Sequence, residues 1–237
     1  MFRYALDAKQ THRVTVDINE DWSPSFDPKG RYLDFLSNRT FRPLMGAVDQ
    51  NHIYLDMARP YAVLLKAGEP SPFDLKEEEE KVTETQPTTT AADKPEDESG
   101  EKAEAGRDDK DRTEIDLDGI GRRVVAVEGV KSGNYFRLEA TDGGFLYLGK
   151  AEPEFLKYQS VTDQTGGKLD LHQYTLEDKE SSKLLSGIAN YHLSADGKKL
   201  VYRAGSRYGV VDAGKKADVG DGEVELKDTH IEVDRLA

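Results

Sequence analysis

The sequence predicts an all-β fold, a partial β-propeller of about three and a half four-stranded blades that carries a long disordered acidic insertion. Three observations predict it. First, a phrase recurs at Trp22–Phe35 and Ala189–Tyr202. In both copies a large apolar residue (Phe26, Leu193) is followed four positions later by glycine (Gly30, Gly197), and seven and nine positions later by apolar residues (Leu33 and Phe35; Leu200 and Tyr202). Second, a further copy at Asn134–Tyr147 keeps the spacings from Leu138 to Phe145 and Tyr147, while its glycines slip by one. Third, the charge is localised: residues 74–114 hold 16 Asp or Glu against 7 Lys or Arg, a net of −9 out of −13 for all 237 residues.

The phrase reads as strand, tight turn and returning strand. Glycine supplies the positive φ that the turn needs, and alternating apolar residues bury one face of each strand. Taken in order, Phe2–Leu6 and Arg13–Val16 are strands joined by the polar turn Asp7–Gln10. Their echo is Leu171–Leu176, the turn Glu177–Ser182 and Lys183–Leu185. A blade alternates these two hairpins, so the chain is expected to open in the outer half of one. The first full blade continues through His52–Asp56 and Tyr61–Leu65 and is completed, beyond the insertion, by Arg122–Val127. A second blade runs from Asn134 to about Leu185, and a third from Ala189 through Tyr208–Asp212 to His230–Val233. The chain thus divides into propeller strands over 1–73, an insertion over 74–114 and propeller strands over 115–237. The insertion has no aromatic residue and cannot bury enough apolar surface to offset the entropy of ordering. About three and a half blades is fewer than the roughly four of the smallest usual closed propeller, so apolar residues such as Phe26, Leu33, Tyr135, Leu193, Val201 and Val210 include some on uncovered end faces.

Outside the insertion the charge is nearly balanced, which gives no reason to expect nucleic acid or an anionic membrane as partner. No run approaches the length of about 18 apolar residues of a membrane helix, and the first residues lack the apolar core of a signal peptide. A cytoplasmic location is expected, or a periplasmic one if the parent carries an upstream signal. The absence of cysteine excludes disulfides and thiolate chemistry.

Catalytic constellations are missing. There is no Gly-x-Ser-x-Gly elbow, phosphate loop or zinc helix, and the histidines at 12, 52, 172, 192 and 230 show no ligand spacing. Gly119–Gly121 lacks the third glycine of a dinucleotide fingerprint, and Asp116–Gly119 lacks the remaining acids of a calcium loop, so both read as a turn ahead of Val124. No cofactor or metal is expected. Arg122 and Arg123 are the candidate substrate-tunnel residues, because paired guanidinium groups suit a carboxylate. The competing reading is that they solvate the rim of an edge strand.

Three stretches carry a family resemblance: Phe26–Arg39, then Arg59–Phe73 with its Arg-Pro-Tyr and Ser-Pro-Phe ends, then Ile115–Ile120. Together with Leu193–Arg203 and Tyr208–Gly214, they resemble the second propeller of the tricorn proteases and their bacterial homologues. In that family two propellers precede a serine-peptidase half with a PDZ-like module, and the propellers pass peptides toward or away from a buried active site. The resemblance implies a non-catalytic segment that gates or guides oligopeptides. It also implies, as partners, the missing blades, the peptidase domains and further copies of the parent in a homo-oligomer. The chain is expected to begin midway through the propeller and to stop near the start of the catalytic half. No catalytic residue is carried over, so no activity is expected of the chain alone. The reading from a different class is an independent propeller that scaffolds protein interactions, like the periplasmic translocation propellers.

Overall fold

The computed structural model describes residues 1–6, 9–15, 18–40, 43–45, 52–54, 56–73, 113–150 and 169–226. The predicted insertion lies outside the described residues except for Thr113 and Glu114, and so does His230–Val233. Among the described residues no helix is long and apolar enough to cross a membrane.

Fifteen strands make up the described chain: β1 (Phe2–Ala5), β2 (Gln10–Arg13), β3 (Asp21–Phe26), β4 (Tyr32–Ser37), β5 (Pro43–Met45), β6 (His52–Tyr54), β7 (Arg59–Leu64), β8 (Val124–Ala126), β9 (Tyr135–Thr141), β10 (Gly144–Gly149), β11 (Leu169–Thr175), β12 (Glu180–Ile188), β13 (Asn190–Leu193), β14 (Lys199–Ala204) and β15 (Arg207–Asp212). Two four-stranded sheets, β3-β4-β7-β8 and β9-β10-β11-β12, are whole blades, preceded by the β1-β2 hairpin and followed by β13-β14-β15. A separate β5-β6 hairpin emerges between β4 and β7, so His52–Tyr54 belongs to an excursion and not to the blade. The recurring phrase forms the hairpins it predicted, with Phe26 opposite Leu33, Leu193 opposite Leu200, and Gly30 and Gly197 at φ 68° and 67°.

Strand limits shift where polar residues were read as turn. β2 starts at Gln10, directly opposite Ala5, and β12 takes in Glu180–Ser182, because the ladder of backbone hydrogen bonds continues irrespective of side-chain polarity. In the last sheet, residues 222–224 already occupy the outer edge of β15. The Val210 amide donates to the Gly222 carbonyl and the Val224 amide to the Tyr208 carbonyl, each at 2.9 Å.

The sheets stack face to face. Leu33, Phe35, Val63 and Leu65 of the first blade pack with Val14 beyond β2. On the opposite face, Leu36 packs with Leu138, Phe145, Tyr147 and Tyr174 of the second blade. The second blade in turn packs Leu146, Leu148, Leu171 and Ile188 against Tyr191, Leu200 and Tyr202 of the third sheet. Each such side chain contributes about 1.5–3 kcal/mol on leaving water. The burial pattern follows from this stacking. All six residues of β4 and of β10 are buried, since a neighbour covers each face. β14 instead alternates, hiding Leu200 and Tyr202 and exposing Val201, because only one of its faces is covered. Val210 beside Val201, and Phe2 and Tyr4 on the first hairpin, are exposed end-face residues of this kind.

Tyr191 ties the third sheet to the second. Its hydroxyl donates to the Leu146 carbonyl at 2.9 Å in a buried site. Tyr191→Phe is expected to cost about 1 kcal/mol, since a buried carbonyl loses its donor. Urea denaturation checks this, and an unmoved midpoint would show that the bond contributes nothing.

Candidate functional site

The first strand of each blade is an edge strand, and stacking brings β3, β9 and β13 side by side. Antiparallel pairing leaves each with one unpaired edge, and side chains from the adjacent first strand reach across to it. Ser23 Oγ accepts from the Leu138 amide at 2.8 Å and donates to the Leu138 carbonyl at 3.2 Å. Ser25 Oγ accepts from the Ala140 amide at 2.9 Å. One blade further on, Glu139 Oε2 accepts from the Leu193 amide at 2.8 Å. The Asn190 side chain accepts from the Tyr191 amide at 2.9 Å.

A cleft of about 780 Å³ opens among these strands, with Trp22, Pro24, Phe136, Arg137, Glu139 and Asn190 on its walls. Ser23 reaches across because β3 carries a register shift between Trp22 and Ser25, and its backbone adopts φ 54° there. A non-glycine residue in that conformation costs on the order of 1 kcal/mol, which the paired bonds to Leu138 offset. Arg137 and Glu139, two positions apart, share one face of β9. The guanidinium donates to Glu139 Oε1 from Nε at 2.8 Å and from Nη2 at 2.5 Å, and from Nη1 to Asn190 Oδ1 at 3.3 Å. It also donates to His192 Nδ1 at 2.8 Å. Arginine only donates, so Nδ1 accepts and the ring proton of neutral His192 resides on Nε2. The guanidinium lies 5.7 Å from the centre of the Tyr191 ring, below which burial, reinforced by the charge of Glu139, pushes the phenol well above its usual range. The cluster is thus charge-neutral, hydrogen-bonded and built from two blades. Its Arg137, Glu139 and Asn190 face the cleft, and it contains no nucleophile paired with a base.

Arg122 and Arg123 are placed elsewhere. They end a 3-10 turn, Ile120–Arg122, just ahead of β8, the edge strand at the opposite side of the blade from β3. Arg123 donates from Nε to the Leu64 carbonyl at 2.9 Å, from Nη1 to that of Asp118 at 2.8 Å, and from Nη2 to that of Asp116. Arg122 is exposed. Neither lines the cleft. Asp116, weighed as a calcium ligand, accepts from the Ala67 amide at 2.7 Å and so closes the same turn. His172 stacks on Tyr147 at 5.2 Å, and burial pushes its pKa down.

Successive four-stranded antiparallel sheets, stacked with their first strands adjacent, define a β-propeller segment. The sequence profile of the tricorn protease second beta propeller domain matches residues 3–214, and the chain belongs to that family. It is 29% identical over 216 residues to tricorn protease homolog 1 of Streptomyces coelicolor, an alignment that covers 91% of this chain and 18% of that protein. With the tricorn protease homolog of Saccharolobus solfataricus it shares 28% over 189 residues, 80% of this chain and 14% of the relative. The crystal structure of the tricorn protease superposes with a TM-score of 0.63 at 18% identity, over 88% of this chain and 18% of that one, a likeness of fold. The chain therefore spans less than a fifth of the length of these proteins.

Proposed function

We propose that this chain is a non-catalytic propeller part of a tricorn-like serine protease and that it gates or guides oligopeptides. The observation that carries the reading is the cleft at the meeting of three first strands. Its walls mix aromatic and neutralised polar groups, and it lies among the first strands of successive blades. The mechanism is exclusion: an extended peptide enters where a folded protein does not, and neutral walls bind it too weakly to hold it. The serine nucleophile, its base and the remaining blades come from other parts of the parent. Membership of the tricorn second-propeller family supports this division of labour.

The test is made in a tricorn-like peptidase that carries this segment. Phe136 is exposed in the cleft, so a bulky maleimide adduct on Phe136→Cys narrows it without disturbing the core. Cleavage of a long unstructured peptide is expected to slow roughly tenfold while a small fluorogenic substrate turns over as before. Equal rates for both substrates, with and without the adduct, would remove the conducting role.

A further inference from the structure

We propose that Ser23, Ser25, Glu139 and Asn190 plug the open edges of the first strands, so that an extended peptide in the cleft cannot pair with them as an added β-strand. The purpose assigned to the plugs rests on the peptide-conducting reading; the pairing chemistry does not. An open strand edge is a template for any extended chain, and added strands bind through their main-chain hydrogen bonds with little regard to sequence. A conduit with bare edges would hold whatever entered it. Along β9 and β13 the amides that point away from β10 and β14 at Leu138, Ala140, Tyr191 and Leu193 are each met by a side-chain oxygen, at 2.8, 2.9, 2.9 and 2.8 Å. Ser23 also satisfies the Leu138 carbonyl. Three of the four plugs come from the preceding first strand and the fourth, Asn190, from the same one, all at positions lining the cleft, and Ser23 adopts a left-handed backbone to do so. A bond between blades alone would need one such contact per pair of strands. What this arrangement adds is that successive donors on one edge are closed in turn. A peptide in the cleft is therefore left with side-chain contacts to Phe136, Trp22, Pro24 and Arg137.

The experiment uses this chain and two fluorescein-labelled, uncharged octapeptides rich in valine and threonine, one of them N-methylated at alternate backbone positions so that it cannot pair as a strand. Fluorescence anisotropy reads the affinities. Ser25→Ala and Glu139→Ala, singly and together, bare the Ala140 and Leu193 amides. Each is expected to tighten binding of the unmethylated peptide, by about tenfold in the double variant, with no gain for the methylated one. Glu139→Gln keeps one carbonyl oxygen, for which Leu193 and Arg137 compete, and is expected to fall between the unaltered chain and Glu139→Ala. A gain shared by both peptides, a gain in Glu139→Gln larger than in Glu139→Ala, or no gain in correctly folded variants would overturn the proposal. In the unaltered chain, nuclear Overhauser contacts between peptide backbone and the amides of Ala140 or Leu193 would overturn it without any variant. A conducting role that failed the adduct test would leave the anisotropy result standing, so the two readings fail separately.

Discussion

Asp34→Asn is expected to be more stable than the unaltered chain at pH 8 and to lose most of the fall in stability between about pH 4 and pH 8. Asp34 sits in β4 between Tyr32 and Leu36, on the face that meets the second blade, and is 6% exposed. Burial pushes its carboxyl up to about 8; the negative charge of Asp27 adds to this, and Arg31 opposes it. The folded state therefore holds the proton more tightly than the unfolded state, whose carboxyl has the ordinary value near 3.8. Stability is complete below that value and is lost as pH rises through the folded pKa. At about 1.36 kcal/mol per unit, the loss over that window is of the order of several kcal/mol. Asparagine keeps the shape and has no charge to desolvate. Urea denaturation at pH 5 and pH 8 measures the effect, and an identical pH slope in the variant would mean that Asp34 is solvated or paired.

Gly129→Ala is expected to destabilise the fold by about 3 kcal/mol or more, the range reserved for backbone conflicts that cannot relax. Gly129 lies in the link from β8 to β9, where the chain passes from one blade to the next, at φ 81°. A methyl group there would stand 1.8 Å from the Lys179 carbonyl oxygen, in the turn between β11 and β12. Both atoms belong to rigid backbone, and Glu128 and Lys179 pair at 2.7 Å beside them, so neither side can step away. The denaturation midpoint should fall with little change in slope. A variant within about half a kcal/mol of the parent would show that the link does not dock on that turn.

Much of the blade architecture was legible because it depends on spacing. A glycine four residues after an apolar residue, with apolar partners at seven and nine, fixes a hairpin register, and Phe26 opposite Leu33 and Leu193 opposite Leu200 follow from it. Burial was less legible. Alternation from Leu33 and Phe35 assigns Asp34 and Leu36 to the open face, whereas a blade covered on both faces buries them with their neighbours. The cleft was not legible as a motif at all. Arg137, Glu139, Asn190 and His192 meet only because two blades stack, and no spacing along the chain encodes that meeting. Arg122 and Arg123 drew attention because they are adjacent in sequence, but they end a turn ahead of β8 that directs Arg123 onto three backbone carbonyls, and neither lines the cleft. The available signal was positional: charged residues two apart on the first strand of a blade, which lies nearest its neighbours' first strands.

The pairing of β7 with β8 joins segments 59 positions apart, between Leu64 and Arg123. Register there is set locally, by the ladder from Tyr61–Ala126 to Val63–Val124 and by the three carbonyls that Arg123 gathers. The entropy of closing such a loop grows only logarithmically, by about 0.6 kcal/mol for each doubling of length. The stretch between these strands is therefore only weakly limited in length by the blade itself. It is also a natural socket for the protein engineer: a reporter domain with neighbouring termini can be lodged between residues 73 and 113, where the strands on either side keep their partners whatever is spliced between them.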